Sequence, residues 1–207
     1  KGVVEHIFNY VTGKLTDVTF EVYAEEDIKA ADGVSDDYYK KDELIATIKT
    51  DETGIAKLEN LPLGKYYVKE KATVEGFVLD DEAREIDLTY RDQDTAEVTY
   101  SADWQNNRQK AEVKVVKKEK DSDRVLEGAV FALCAKNDIT GADGKVILKA
   151  DSVIEELATD KEGKLTFTAD LPIGFEYYIK ETTPAPGFAT TDEVQEFKFE
   201  YEGADKE

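Results

Sequence analysis

The sequence predicts an all-β protein made of two tandem antiparallel sandwich domains. Three observations lead to this fold class: the chain repeats itself, short β-rich runs alternate with turn sequences, and no stretch keeps a helical period for long. The chain has 207 residues, which suits one large domain or two small ones. Because 41% of the residues are hydrophobic, the chain can bury a core and is not expected to be disordered.

An internal repeat organises the chain. Phe131-Ala-Leu-Cys-Ala lies 111 positions after Phe20-Glu-Val-Tyr-Ala. The same spacing relates Tyr177-Tyr-Ile-Lys-Glu181 to Tyr66-Tyr-Val-Lys-Glu70, although the offset between these blocks falls to 109 at Thr50 and Thr159. Two tandem copies of one domain explain this spacing, because a fixed period marks a repeated structural unit. We therefore predict one domain over residues 1–109 and a second over residues 110–207.

Each copy has strands separated by turns. Val113 and Val115 alternate with lysines, as expected of a half-buried strand. Turn sequences such as Asp32-Gly33 and Leu61-Pro-Leu-Gly64 separate the β-rich runs. Several short strands in about 100 residues are typical of an antiparallel sandwich. Short peripheral helices are predicted around Asp42–Ile48 and at the equivalent Asp151–Leu157.

Composition argues against several function classes. The chain has 47 acidic and 27 basic residues, a net charge of −20, whereas nucleic-acid binding needs clusters of Lys and Arg. Its apolar runs are too short for membrane insertion. One Cys and one His are too few for a zinc site, so no metal or other cofactor is predicted. No nucleophilic Ser/His/Asp or Cys/His set occurs in both copies, so the protein is not expected to be an enzyme. The absence of Met predicts a mature fragment of a longer protein.

Three motifs carry a family resemblance. A strand ending at Lys117 is followed by Leu126-Glu-Gly-Ala-Val-Phe131, and Tyr178-Ile-Lys-Glu181 is followed by Pro186-Gly-Phe188. A third motif, Trp104-Gln-Asn106, reads as a closing strand. In combination they resemble the Cna protein B-type domain, a prealbumin-like module of Gram-positive surface proteins and pilins. The resemblance covers nearly the whole chain and implies Greek-key, Ig-like β-sandwiches.

The resemblance also implies a spontaneous isopeptide bond between a Lys on the first strand and an Asn on the last, promoted by a buried Glu. Such chemistry needs an uncharged amine and a protonated acid, and burial in apolar surroundings favours both neutral forms. Adjacent strands hold amine and carboxamide together, and effective molarities of roughly 10⁵–10⁸ M make a single turnover feasible. The reaction is an autocatalytic maturation, so no substrate pocket is expected.

Neither copy contains the complete set. In the second copy Lys117 and Glu181 match, but the Asn would lie beyond Glu207. In the first copy Glu70 and Asn106 match, whereas His6 occupies the lysine position. Lys1 is the nearest other amine there, and it would need a shifted register. The resemblance thus assigns the two glutamates as promoting acids and Lys117 and Asn106 as crosslinking residues. We expect no isopeptide bond within this chain, a last strand missing from the second copy, and a bond at Lys117 only in a longer parent protein.

Each assignment has a simpler alternative. Lys117 could be a solvated strand lysine, and Lys118 would replace it if the register moved by one residue. The two glutamates could pair with the neighbouring Lys69 and Lys180. Asn106 could cap a turn at the domain junction.

The predicted function is structural. The resemblance favours stalk or shaft modules of a bacterial surface adhesin or pilin, extracellular and anchored to the cell wall through a parent-protein segment outside this chain. Their expected partners are neighbouring domains of the same surface protein. The alternative is an adhesive module that recognises a host protein or glycan through Ile28–Leu44, which contains Tyr38 and Tyr39. Exposure of both tyrosines would favour binding, and burial of both would favour the stalk.

Overall fold

The computed structural model describes residues 8–10 and 12–206. These residues form two compact units. The first unit consists of residues 12–109 with 202–206, and the second of residues 110–201 with 8–10. The chain therefore passes between the units at residues 109 and 110, where the two copies meet in the sequence. Each terminal segment, however, lies in the unit built mainly from the other copy, a division that the repeat does not indicate.

In the described part of the chain the secondary structure consists of β-strands, with no helix. Every strand pairing is antiparallel. The all-β prediction is confirmed. The strands are β1 (Thr19–Ala24), β2 (Leu44–Lys49), β3 (Lys65–Ala72), β4 (Arg84–Asp87), β5 (Val113–Val116), β6 (Val130–Ala135), β7 (Ile139–Thr140), β8 (Val146–Leu148), β9 (Val153–Ala158), β10 (Lys164–Phe167), β11 (Glu176–Thr183) and β12 (Val194–Lys198).

The first unit is built on a four-stranded sheet in the order β2-β1-β3-β4. Along β1, Phe20, Val22 and Ala24 are buried while the residues between them are partly exposed, which is the period of two that a strand with one covered face requires. Val22 lies opposite Val68 of β3, so the apolar faces of the central strands coincide. The register thereby also turns Glu70, two residues further along β3, toward the interior.

The second unit contains the equivalent sheet, in the order β12-β11-β6-β9, and a two-stranded sheet of β10 and β5. Leu133 and Tyr177 from the larger sheet share one core with Leu165 and Phe167 from β10. Two sheets facing each other across a common core form the predicted sandwich. Phe8 is 9% exposed and belongs to the same core, although its sequence position lies in the first copy.

The two predicted helices are wrong: both segments are strands, β2 and β9. Asp42 and Asp151 precede them in the left-handed region, with φ of 63° and 61°. Their N–H groups donate to the carbonyls of Ala24 and Ala135 at 2.8 Å, which returns the chain to the sheet edge. Pairing with β1 and β6 outweighed the weak local preference of these short segments for a helix.

Candidate functional site

Lys117 directly follows β5 in the second unit. Its side chain lies on the same half-buried face as Val113 and Val115, while Lys114 and Val116 are exposed. The N–H of Lys117 donates to the carbonyl of Gly163 at 2.8 Å. A Cβ at Gly163 would lie 2.8 Å from the carbonyl oxygen of Lys117, and the φ of Gly163 is +68°, so glycine is required for this close approach.

Lys117 meets a buried acid. Nζ of Lys117 lies 3.1 Å from Oε1 of Glu181 on β11, and the two side chains are 22% and 0% exposed. Among the residues described, Oε1 accepts no hydrogen bond, so its contact with Lys117 is an ion pair without hydrogen-bond geometry. The other oxygen, Oε2, accepts the N–H of Thr191 at 3.2 Å. Nζ also lies 5.9 Å from the centre of the Phe131 ring, so an aromatic side chain borders the amine.

The first unit holds a buried acid at the same place. Glu70 on β3 is 3% exposed, and Nδ2 of Asn106 donates to its two carboxylate oxygens at 2.8 and 2.7 Å. The same Nδ2 donates to the carbonyl of Val78 at 3.0 Å. The N–H of Asp80 approaches Oε2 of Glu70 at 3.3 Å. The carboxamide of Asn106 is therefore held against the acid by three acceptors.

The two clusters share a backbone donor that the sequence motifs did not include. Asp80 and Thr191 each lie ten residues after the buried glutamate, and each N–H donates to Oε2 of that glutamate. The side chains of Asp80 and Thr191 can differ because only the main-chain N–H of each residue contacts the glutamate. The constant spacing after Glu70 and Glu181 in the two copies was the one signal in the sequence that could have found these donors.

Of the residues predicted for the site, the structure brings Lys117 to Glu181 and Asn106 to Glu70, one pair in each unit. His6, at the lysine position of the first copy, and Lys1 lie outside the described residues.

The contacts of these side chains differ from the contacts that the simpler alternatives predict. Nζ of Lys118 lies 3.1 Å from Oδ1 of Asp123 at the surface. Lys69 and Lys180 lie over the rings of Tyr67 and Tyr178, on the face of the sheet that points away from the glutamates. The amide of Asn106 binds Glu70 and Val78, as given above, so its side chain joins the closing segment to β3.

The proposed binding loop gives a divided result. Tyr38 is 53% exposed, whereas Tyr39 packs against the core of the first unit and pairs with Ile28. The two tyrosines are thus neither both exposed nor both buried. Cys134 is fully buried on β6, and burial raises the pKa of its thiol, so the structure places it as a core residue. Over residues 8–10 and 12–206, His, Cys, Asp and Glu side chains form no group of three that could hold a metal ion.

The chemistry available differs between the clusters. In the second unit an amine lies 3.1 Å from a buried carboxyl group. In the first unit a carboxyl group contacts the carboxamide that such an amine would attack. Both clusters join strands that are distant in the sequence, Glu70 and Asn106 being 36 residues apart.

A protein-family model identifies the fold. The model of the SpaA prealbumin-like fold domain matches residues 9–104 and again residues 111–207. The chain belongs to this family. The resemblance predicted from the sequence motifs is therefore confirmed, as are the two tandem copies of a prealbumin-like fold.

The chain is similar to two solved structures. The Bacillus anthracis TIE protein is 26% identical with a TM-score of 0.56, over 92% of this chain and 29% of that chain. The present chain thus spans less than a third of the length of that protein. The shaft pilin SpaA from Lactobacillus rhamnosus GG is 19% identical, with a TM-score of 0.35 over 90% of this chain and 84% of the pilin. A comparison with curated proteins found no match. No helix in the described part of the chain is long and apolar enough to cross a membrane.

Proposed function

We propose that this protein is a pair of shaft or stalk modules from a surface protein or pilin of a Gram-positive bacterium, exported and held at the cell wall through another part of the parent protein. Its role is structural, and its partners are neighbouring domains of that parent. The observation that carries the proposal is the contact of the half-buried Lys117 with the buried Glu181, with Nζ and Oε1 3.1 Å apart. The equivalent Glu70 holds Asn106, so the amine and the carboxamide of the family's crosslink occur at one architectural position.

The chemistry proposed for the second unit is one amide exchange. Nζ of Lys117 attacks Cγ of an asparagine side chain, a C–N bond forms, and the bond to the departing nitrogen breaks to release ammonia. Glu181 in its protonated form gives its proton to the leaving nitrogen and takes up a proton from the attacking amine. Atoms and electrons balance without a cofactor, and the carboxyl group ends in the state in which it began. In the first unit Glu70 binds the carboxamide of Asn106, but His6 stands at the lysine position, so no bond is proposed there.

A crosslink at this position suits a load-bearing module. Lys117 follows the first strand of its unit, so an amide bond from Lys117 to an asparagine on the last strand would tie the two ends of the sandwich together. The rate of forced unfolding is governed by the height of the unfolding barrier, and a covalent crosslink prevents the strands from separating one after another. The net charge of −20 also favours a soluble surface that repels its neighbours.

Mass spectrometry of the longer parent protein tests the proposal. Each bond releases ammonia, so we expect a mass deficit of about 17 Da and a tryptic peptide in which Lys117 is joined to an asparagine. The substitutions Lys117→Arg and Glu181→Ala should both abolish this deficit. Lys114→Arg, on the exposed face of β5, is the matched control and should retain it. Residues 1–207 alone are expected to show no deficit.

A deficit that survives Lys117→Arg would show that another amine reacts, and an unmodified Lys117 in the mature parent would contradict the crosslink.

The adhesive alternative keeps one supporting observation, the exposed ring of Tyr38. Since Tyr39 packs inward, the two rings do not form an exposed pair, and the shaft module is the function that we propose.

A further inference from the structure

The first unit carries a segment from the far end of the chain. Residues 202–206 follow the second copy in the sequence but belong to the first unit. The carbonyl of Ala204 accepts the N–H of Leu79 at 2.9 Å. Within the segment the N–H of Lys206 donates to the carbonyl of Gly203 at 3.3 Å, and the φ of Gly203 is +107°, a conformation that favours glycine. The segment is thus a turn held by its main chain.

Both the nitrogen and the oxygen of the Gln109 side-chain amide form hydrogen bonds with this turn. Nε2 donates to the carbonyls of Gly203 and Lys206 at 3.1 and 2.8 Å, and Oε1 accepts the N–H of Glu202 at 2.8 Å. Gln109 is 2% exposed, so its amide is buried, whereas Glu202 and Lys206 of the turn are exposed residues. The amide can satisfy them in one orientation only, because two of its partners are acceptors and the third is a donor. The sequence showed Gln109 only as the last residue before the repeat boundary.

The turn lies against the stretch that surrounds the buried acid of the first unit. Within residues 76–80, the carbonyl of Val78 accepts Nδ2 of Asn106 at 3.0 Å, and the N–H of Asp80 approaches Oε2 of Glu70 at 3.3 Å. Leu79, between them, donates its N–H to the far segment. One short stretch therefore bonds to the Glu70–Asn106 cluster through two residues and to residues 202–206 through the residue between them.

We propose that residues 202–206 form a strap, latched by Gln109, that holds residues 76–80 against the Glu70–Asn106 cluster. Closing the strap stabilises the site of the first unit. Releasing it breaks the three side-chain bonds and the Leu79 bond together. Residues 79 and 80 then open locally, while residues 76 and 78 keep their main-chain bonds to residues 109 and 107. Only the importance of the cluster rests on the proposed function; the latch itself does not require an isopeptide bond anywhere in the protein.

Amide hydrogen exchange measured by NMR on the whole chain tests the strap. In the unsubstituted protein the Leu79 amide should be protected, since its acceptor is a strap carbonyl. In Gln109→Ala we expect exchange at Leu79 and Asp80 to accelerate by at least about tenfold, because three net-stabilising hydrogen bonds are lost. Exchange at Val22, in the central strand β1, should change by less than twofold, since it reports opening of the whole unit.

Two further variants sharpen the test. Gln109→Glu keeps the shape and one acceptor but loses both donors and faces two carbonyl oxygens, so it should accelerate Leu79 as Gln109→Ala does. Gln105→Ala, an exposed side chain in the same segment, should leave all three amides unchanged. An unprotected Leu79 in the unsubstituted chain would overturn the strap, and so would equal acceleration at Leu79 and Val22. A parent protein without a mass deficit would contradict the proposed crosslink while leaving these exchange results intact.

Discussion

The two units solve the same problem, a buried carboxyl group, with different partners. Glu70 is held by the neutral amide of Asn106, and Glu181 by the ammonium of Lys117. Each arrangement compensates an acid that burial would otherwise make costly. The repeated feature is therefore the buried glutamate itself and not one fixed partner for it. An amide side chain contacts the acid in the first unit, and an amine contacts it in the second.

The largest difference between the units should appear when Lys117 is removed. Lys117→Ala leaves the fully buried Glu181 without its counter-charge, and we expect the second unit to lose about 3–5 kcal/mol of unfolding free energy. Lys114→Ala, whose side chain is exposed, should change it by less than about 0.5 kcal/mol. Urea unfolding followed by hydrogen exchange at β6 and β11 measures the second unit. A loss below about 1 kcal/mol would mean that the ion pair does not compensate the acid.

Phe8→Ala separates the structural units from the sequence repeats. Phe8 is in the second core, so we expect the second unit to lose about 3 kcal/mol while the first is unchanged. Trp104, the single tryptophan, packs on Phe20, with ring centres 5.1 Å apart, and its fluorescence reports the first unit. Asn9→Ala, an exposed neighbour, is the control. A Trp104 transition shifted to lower urea would place Phe8 with the first copy instead.

Asn106→Ala is the counterpart of the lysine substitution in the first unit. Glu70 would lose a donor that contacts both of its oxygens, and we expect about 2 kcal/mol of destabilisation. The effect is smaller than for Lys117 because no counter-charge is removed. Trp104 fluorescence during urea unfolding measures it, with Asn107→Ala, an exposed side chain, as the control. If both variants unfold at the same urea concentration, the amide does not stabilise the acid.

The smallest expected effect comes from Tyr23 of the first unit, since the second unit has no tyrosine at the equivalent position. A hydrogen bond to Glu21, then burial, raises the pKa of Tyr23 to about 12, whereas the equivalent residue is Cys134. A raised pKa means that this interaction contributes its full stability below about pH 10 and loses it as the pH rises through 12. In an ultraviolet titration, Tyr23→Phe should remove a phenolate step near pH 12. Loss of a step near pH 10 would show that the hydrogen bond to Glu21 does not form.

Much of the site could be predicted from the sequence because its residues recur at a fixed spacing. Glu70 and Glu181 occupy the same place in two copies of one motif, and Lys117 follows Val113 and Val115 on one half-buried strand face. The N–H donors of Asp80 and Thr191 were missed because a main-chain group has no side-chain signature. The helices predicted at β2 and β9 failed because short segments respond more to strand pairing than to local preference.

The sequence by itself determined the all-β class, the two copies and the residue types of the site, because periodicity and repeat spacing are local properties of the chain. Only the tertiary structure decided which segments complete which unit. Phe8 enters the second core, and residues 202–206 bind Gln109 in the first unit. These contacts join residues about 90 or more positions apart, as in the 94 between Gln109 and Gly203. The free energy of closing such long loops depends on packing and hydrogen bonding in three dimensions, which no local pattern records.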